Sequence, residues 1–254
     1  YKGEYKVVSM NVKSKFLKKG GDVSVLINQF IGFNMDRKFS SRVLKQIDPS
    51  TEIVVATNNR LQAFMCRVWT YFHKAKLIIP GQGGPGIDER IALWSFPDVF
   101  VPLSDFQVKW AKKANPFIRV SKIPNGADLA RFDKKVSPLK LGLPRPIVLC
   151  SAALWPAMKR QHLLIKAMAK MSSGSLLLVG DGEGKEYLES LGKKLLGNRF
   201  ATMPLPYSQM PSVYASCDLF SFPTSSWEAF GIVLVEAMAS GLSVVASDDP
   251  IRRE

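Results

Sequence analysis

Two carboxylates with seven residues between them stand in the stretch SSWEAFGIVLVEAMASG, residues 225–241: Glu228 and Glu236. From Phe230 to Ala239 every residue except Glu236 is apolar or glycine, and Ser240-Gly241 follows as a stop signal. The run reads as a helix buried on most sides. A carboxylate there is costly unless something pairs with it. Glu228 falls before the helix and Gly231 near its first turn. The amides of Phe230, Gly231, Ile232 and Val233 are then the unpaired donors of a helix start. They carry partial positive charge and suit a phosphate, and a glycine lets that phosphate come close to the backbone. Glu236 lies roughly 7–8 Å further along the axis at 1.5 Å per residue. That is the span from a diphosphate to the ribose hydroxyls of a nucleotide. A carboxylate accepting two hydroxyl hydrogen bonds has a reason to be buried.

The elements around this stretch alternate. PIVLCSA (146–152), SLLLVGDG (175–182), RFATM (199–203), DLFSFP (218–223) and LSVVAS (242–247) read as strands. KRQHLLIKAMAKM (159–171), KEYLESLGKKLLG (185–197) and YSQMPSVYASC (207–217) read as helices between them. Apolar strands without alternation, each followed by a helix, predict a parallel sheet covered on both faces. The first half is less regular. Strands are expected at 5–12, 51–57, 76–80, 99–104 and 118–126, and helices at about 33–47, 60–75 and 105–114, the last capped by Ser104 or Asp105. GQGGPG (81–86) reads as a turn-rich loop. Three prolines in 134–146 mark a linker, which divides the chain into 1–136, a linker 137–145, and 146–254. Two such α/β domains would face each other across a cleft, and ligands of parallel sheets bind at the carboxyl ends of the strands.

EAFGIVLVEAMASGLSVVAS closely resembles the signature of the family 4 retaining glycosyltransferases, which have the GT-B fold of two Rossmann-like doubly wound domains. KIPNGADLARF (122–132), ALWPAMKRQHLLIKAMA (153–169), LLLVGDGE (176–183) and YSQMPSVYASCDLFSFPTSSWEAFG (207–231) match further family segments in the family's order. The resemblance is good over residues 118–254 and loose before them. It implies an enzyme that moves a sugar from a UDP-, GDP- or ADP-sugar to an acceptor, with no metal ion and no cofactor. Glu228 would lie against the donor sugar, and the amides of Gly231 to Val233 would hold the distal phosphate. Glu236 would bind the ribose, and Lys159 would neutralise the departing diphosphate. The base would lie near Met203 to Leu205. No clustered Asp-x-Asp pair is seen beyond Asp248–Asp249.

The sequence also departs from the family pattern. The arginine expected shortly before the lysine is absent from CSAAL (150–154), which leaves Arg160 as its substitute. The first-domain histidine is replaced by Gly81 and Gln82, so Gln82 becomes a sugar-contacting candidate. Ser243 stands where the family has proline. KKGGDVSVL (18–26) is a remnant of its glycine-rich loop, and the chain stops early. A chain beginning with Tyr reads as a fragment or processed form. These departures motivate the alternative of an inactive nucleotide-sugar-binding or partner protein.

A 46% hydrophobic content and mean hydropathy of +0.03 describe an ordinary soluble globular chain. No apolar run reaches the roughly 18 residues of a membrane span, and no secretory signal opens the chain. Cys66, Cys150 and Cys217 are single among apolar neighbours, which suits buried thiols in a reducing cytoplasm. Residues 1–136 hold 23 Lys/Arg and 11 Asp/Glu, against 12 and 10 in the remainder, a balance of +12 and +2. The basic half suits a saccharide, lipid-linked or phosphorylated acceptor and an anionic membrane surface. Trp110 with Lys109, Lys112 and Lys113 is its membrane-facing candidate. No nucleic-acid recognition motif accompanies the charge. His73 and His162 lack a neighbouring nucleophile for a triad, and the Gly180–Gly182 turn either approaches a phosphate or ends its strand.

Overall fold

The computed structural model describes residues 41–57, 61–133, 135–225 and 228–254. The strand expected at 5–12, the loop at 18–26 and most of the helix at 33–47 lie outside them. The chain divides into two compact units, 1–123 and 124–254.

The first unit contains β1 (Ile53–Val55), α1 (Leu61–Phe72), β2 (Lys76–Pro80), α2 (Ile87–Leu93), β3 (Val99–Val101) and α3 (Asp105–Ala114). The strands form a parallel sheet in the order β1-β2-β3. Leu77, Ile79 and Phe100 pack with Ala63 and Cys66 of α1, Leu93 of α2 and Ala111 of α3. Asp98 fastens β2 and α1 together, accepting from the Leu77 amide at 2.9 Å and Arg67 Nη1 at 3.1 Å. Ser104 caps α3 as the sequence predicts, its Oγ accepting the Gln107 amide at 3.1 Å. Two expectations need correction. The strand at 118–126 reduces to a single bridge, Phe100 to Val120, because Pro102 has no N–H to donate to the Ser121 carbonyl and continue the ladder. Trp110 is half-buried against the core of this unit, while Lys109, Lys112 and Lys113 are exposed. The stripe through Gln107 and Ala111 draws the tryptophan inward.

The second unit contains β4 (Ile147–Ser151), α4 (Pro156–Lys159), α5 (Gln161–Met168), β5 (Ser175–Val179), α6 (Lys185–Leu196), β6 (Phe200–Met203), α7 (Met210–Ala215), β7 (Leu219–Phe222), α8 (Ile232–Ala239) and β8 (Ser243–Ala246). Its parallel sheet runs β6-β5-β4-β7-β8. Successive side chains of a strand point to opposite faces. Leu149 and Leu177 accordingly pack with Val213 and Tyr214 of α7 and Leu234 and Ala237 of α8. Val148, Cys150, Leu176 and Leu178 pack on the other face with Ile165 and Met168 of α5 and Leu188 of α6. The sheet is therefore covered on both sides and doubly wound. From β4 the chain steps outward through β5 and β6, then returns to the other side of β4 through β7 and β8. The switch point lies between β4 and β7, where open α/β sheets bind ligands.

The division at 123/124 falls ahead of the linker expected at 137–145, because the intervening residues are anchored to the second unit. Phe132 enters its core, the Leu139 amide donates to Ser216 Oγ at 2.7 Å, and Ser175 Oγ donates to the Pro144 carbonyl at 2.6 Å. The helix expected at 159–171 is broken at Arg160, which adopts a left-handed φ of 54°. Lys159 consequently ends α4. It does not open a longer helix. The helix at 207–217 is a 3₁₀ turn (Tyr207–Gln209) leading into α7. Nor is α8 buried on most sides: Leu234, Glu236 and Ala237 are buried, whereas Ile232 and Met238 are exposed.

Candidate functional site

The loop after β4 carries Lys159, and the loop after β7 carries Glu228, so the switch point brings them together. They form an ion pair with both side chains largely buried. The two loops are bolted to each other: the Ser225 amide donates to the Met158 carbonyl at 2.8 Å, and Thr224 Oγ1 donates to the same oxygen at 3.2 Å. Ser247, just after β8, donates through Oγ to the Thr224 carbonyl at 2.6 Å. Lys159 Nζ lies 5.7 Å from the centroid of the Phe222 ring.

Gly231 touches the same ring. It caps α8 with φ +84°, and a Cβ there would meet a Phe222 ring carbon at 2.8 Å. Both facts require glycine. Gly231→Ala is expected to cost about 1–3 kcal/mol of stability for the forced backbone; an unchanged denaturant midpoint would contradict this placement. The cap leaves the amides at the start of α8 without intrahelical acceptors. Phe230 and Val233 are half-buried beside it.

Glu236 is 2% exposed, and its partners are two phenols. Tyr207 donates to Oε1 at 2.6 Å and Tyr214 to Oε2 at 2.9 Å. Both tyrosine hydroxyls are held above the usual phenol range, Tyr207 chiefly by this hydrogen bond and Tyr214 chiefly by burial. They therefore stay protonated and keep donating. Their exposures differ: Tyr214 is wholly buried, whereas Tyr207 is 53% exposed at the surface. Arg131 covers the Tyr207 ring at 4.2 Å and donates to its carbonyl at 2.8 Å. Sequence reasoning missed both tyrosines and Arg131. The signal available was PYSQMPSVY preceding the buried glutamate, which supplies hydroxyl donors on the helix that faces α8.

Met203 ends β6 half-buried, its carbonyl accepting the Gly180 amide at 3.2 Å, and Leu205 packs on the core below α7. Gly180 and Gly182 serve the fold: an added Cβ would meet the Ala152 carbonyl oxygen at 2.1 Å or the Leu154 oxygen at 2.8 Å. Arg160 is exposed and its charge lies beside His162, so the structure does not bring it to Lys159. Asp248 and Asp249 are engaged with Arg253 and Arg252.

Gln82 belongs to the first unit, exposed in the loop after β2. That loop is held by Glu89, a residue on the helix α2 that the sequence did not reveal. Glu89 is 2% exposed and accepts the Gly83 amide at 2.8 Å. Burial raises its carboxyl to about 7, against opposing hydrogen bonds from Gly83 and Gly84. A raised acid pKa stabilises the fold below the unfolded value, and this contribution is lost as pH climbs through the folded value. Unfolding free energy should therefore fall between roughly pH 4.5 and 7, and Glu89→Gln should flatten that slope. An unaltered pH dependence in the variant would refute the assignment.

Two parallel-sheet α/β units, with this order of motifs along the second, define the class of GT-B glycosyltransferase folds. Anabaena HepE in complex with UDP superposes with a TM-score of 0.71 at 22% identity, over 84% of this chain and 64% of that one. Residues 132–254, within the second unit, match the family model "Glycosyl transferases group 1". A phosphatidyl-myo-inositol mannosyltransferase of Mycolicibacterium smegmatis is 35% identical over 160 residues, 60% of this chain and 40% of the relative. A D-inositol 3-phosphate glycosyltransferase of Nocardia farcinica is 32% identical over 148 residues, 51% of this chain and 32% of the relative. The chain thus spans less than half the length of these curated relatives. Among the described residues, no helix is long and apolar enough to cross a membrane.

Proposed function

We propose that this chain carries the donor site of a family 4 retaining glycosyltransferase, which moves a sugar from a nucleoside-diphospho-sugar to an acceptor hydroxyl without a metal ion. The observation that carries the reading is the Lys159–Glu228 pair at the β4/β7 switch point, beside the glycine-capped start of α8. The α8 amides and Lys159 receive the diphosphate and stabilise its charge as the bond to the anomeric carbon breaks. The acceptor oxygen bonds to that carbon, and its proton leaves with the diphosphate. Glu228, released by Lys159, faces the sugar. Glu236 grips the ribose: the hydroxyl of Tyr207 gives way to a ribose hydroxyl, while Tyr214 stays as the permanent donor. Met203 and Leu205 lie on the base side.

Support for a nucleotide donor comes from the HepE complex with UDP, and support for the acceptor from relatives named for inositol lipids and phosphates. The +12 balance of residues 1–136 favours an acceptor that is phosphorylated or lies at an anionic membrane. A product assay tests this. UDP-, GDP- and ADP-sugars are offered with inositol phosphate or with phosphatidylinositol vesicles, and the anomeric configuration of the product is read by NMR. A product of retained configuration from one donor is expected. Inversion overturns the retaining assignment, and donor binding with no turnover on either acceptor or water overturns the catalytic one.

A further inference from the structure

Arg252 presents a buried guanidinium that the donor site described above does not use. Its side chain is 3% exposed. Nη2 donates to the Ser225 carbonyl at 3.0 Å, and the group pairs with Asp249 in the same turn. Asp249 Oδ1 in turn accepts the amides of Ile251 and Arg252 at 3.1 and 3.2 Å. Nε and Nη1 of Arg252 have no hydrogen-bond acceptor among the described residues. Buried N–H groups left unpaired are costly and rare, and a guanidinium keeps its charge throughout.

Its surroundings indicate what those N–H groups serve. The guanidinium carbon lies 5.8 Å from the Phe222 centroid, beside the ring that also faces Lys159 Nζ. The Glu228 carboxylate acts on it electrostatically, together with Asp249. Two cations from separate elements, Lys159 of α4 and Arg252 of the turn after β8, therefore lie beside the Phe222 ring, and the first of them pairs with Glu228. Lys159 also acts on Cys150 of β4, which burial holds as the neutral thiol, its pKa pushed up to about 12.

An incoming diphosphate competes with Glu228 for the Lys159 ammonium. We propose that Arg252 is a positioning residue that takes over the Glu228 carboxylate when an incoming diphosphate draws Lys159 away. The inference rests on the donor-site reading above. Without a second cation, the largely buried Glu228 would lose its partner at the moment the substrate arrives, and breaking a buried pair is expensive. Asp249 balances Arg252 in the free protein, and the unused Nε and Nη1 are available for the new bond.

The test is calorimetric titration with UDP, GDP and ADP, using whichever binds. Arg252→Met is paired with Asp249→Asn so that no buried carboxylate is stranded, and Arg252→Lys keeps the charge. In the otherwise native chain, R252M/D249N should weaken diphosphate binding about five- to tenfold, with R252K recovering part of the loss. In a Glu228→Gln background the same pair should change affinity less than about twofold, since no carboxylate charge then needs a partner. Equal losses in both backgrounds would show that Arg252 acts on the phosphate or on the fold, and would overturn the inference while leaving the donor site intact. No loss in either background also overturns it. If the native chain binds none of the three diphosphates, the donor-site reading fails, and this inference with it.

Discussion

Glu228→Gln is expected to lower sugar transfer by about 10²–10⁴-fold while leaving nucleoside diphosphate binding intact or tighter. The split follows from the geometry. In the free protein the carboxylate competes for Lys159 with any incoming phosphate. Removing its charge frees the lysine for the ligand but strips the sugar side of the site of its one acid. Affinity and turnover therefore move in opposite directions. A residue of merely structural importance would lower both. Steady-state kinetics beside calorimetry reads the split, and a variant that turns over like the native enzyme would remove Glu228 from the mechanism.

Lys159→Met carries the second large effect, and its sign differs. Charge on the departing diphosphate develops as the anomeric bond breaks, and a cation held in a water-poor site is worth most there. Loss of Lys159 should reduce kcat by about 10²–10³-fold and weaken diphosphate binding as well. Affinity for the bare nucleoside should stay within about twofold, because the proposed ribose contact is Glu236 and not the lysine. Comparing UDP with uridine, or the corresponding pair for another base, separates the two contributions. Equal weakening of nucleoside and diphosphate would move Lys159 away from the phosphate subsite.

The second unit was legible because each of its signals was local. Leu176, Leu177 and Leu178 belong to an unalternating apolar run, and such a run is buried on both faces. Gly231 stands before an otherwise apolar helix, and Glu236 betrays itself as the lone charge in that helix. What escaped was set by contacts distant in sequence. PYSQMPSVY supplies hydroxyl donors, but nothing in it indicates that Tyr207 reaches Glu236, 29 residues away. Nothing near Arg252 indicates that it leans on Ser225, 27 residues back. Arg160 was chosen as the spare cation from its place beside Lys159. A left-handed residue between two short helices turns it outward instead, a break that periodicity does not reveal. In the first unit α2 escaped because seven residues are too few to display a helical period. Trp110 was ambiguous because a charged helix with one aromatic looks the same whether that ring faces a membrane or, as here, packs half-buried on its own core.

The crystal structure of this chain with a bound nucleoside diphosphate tests the central claim most directly. The account predicts the distal phosphate on the amides of Gly231 to Val233, Lys159 turned from Glu228 toward it, and ribose hydroxyls on Glu236 in place of Tyr207. A ligand bound elsewhere, with Glu236 still closed by both tyrosines and Lys159 still on Glu228, would contradict it.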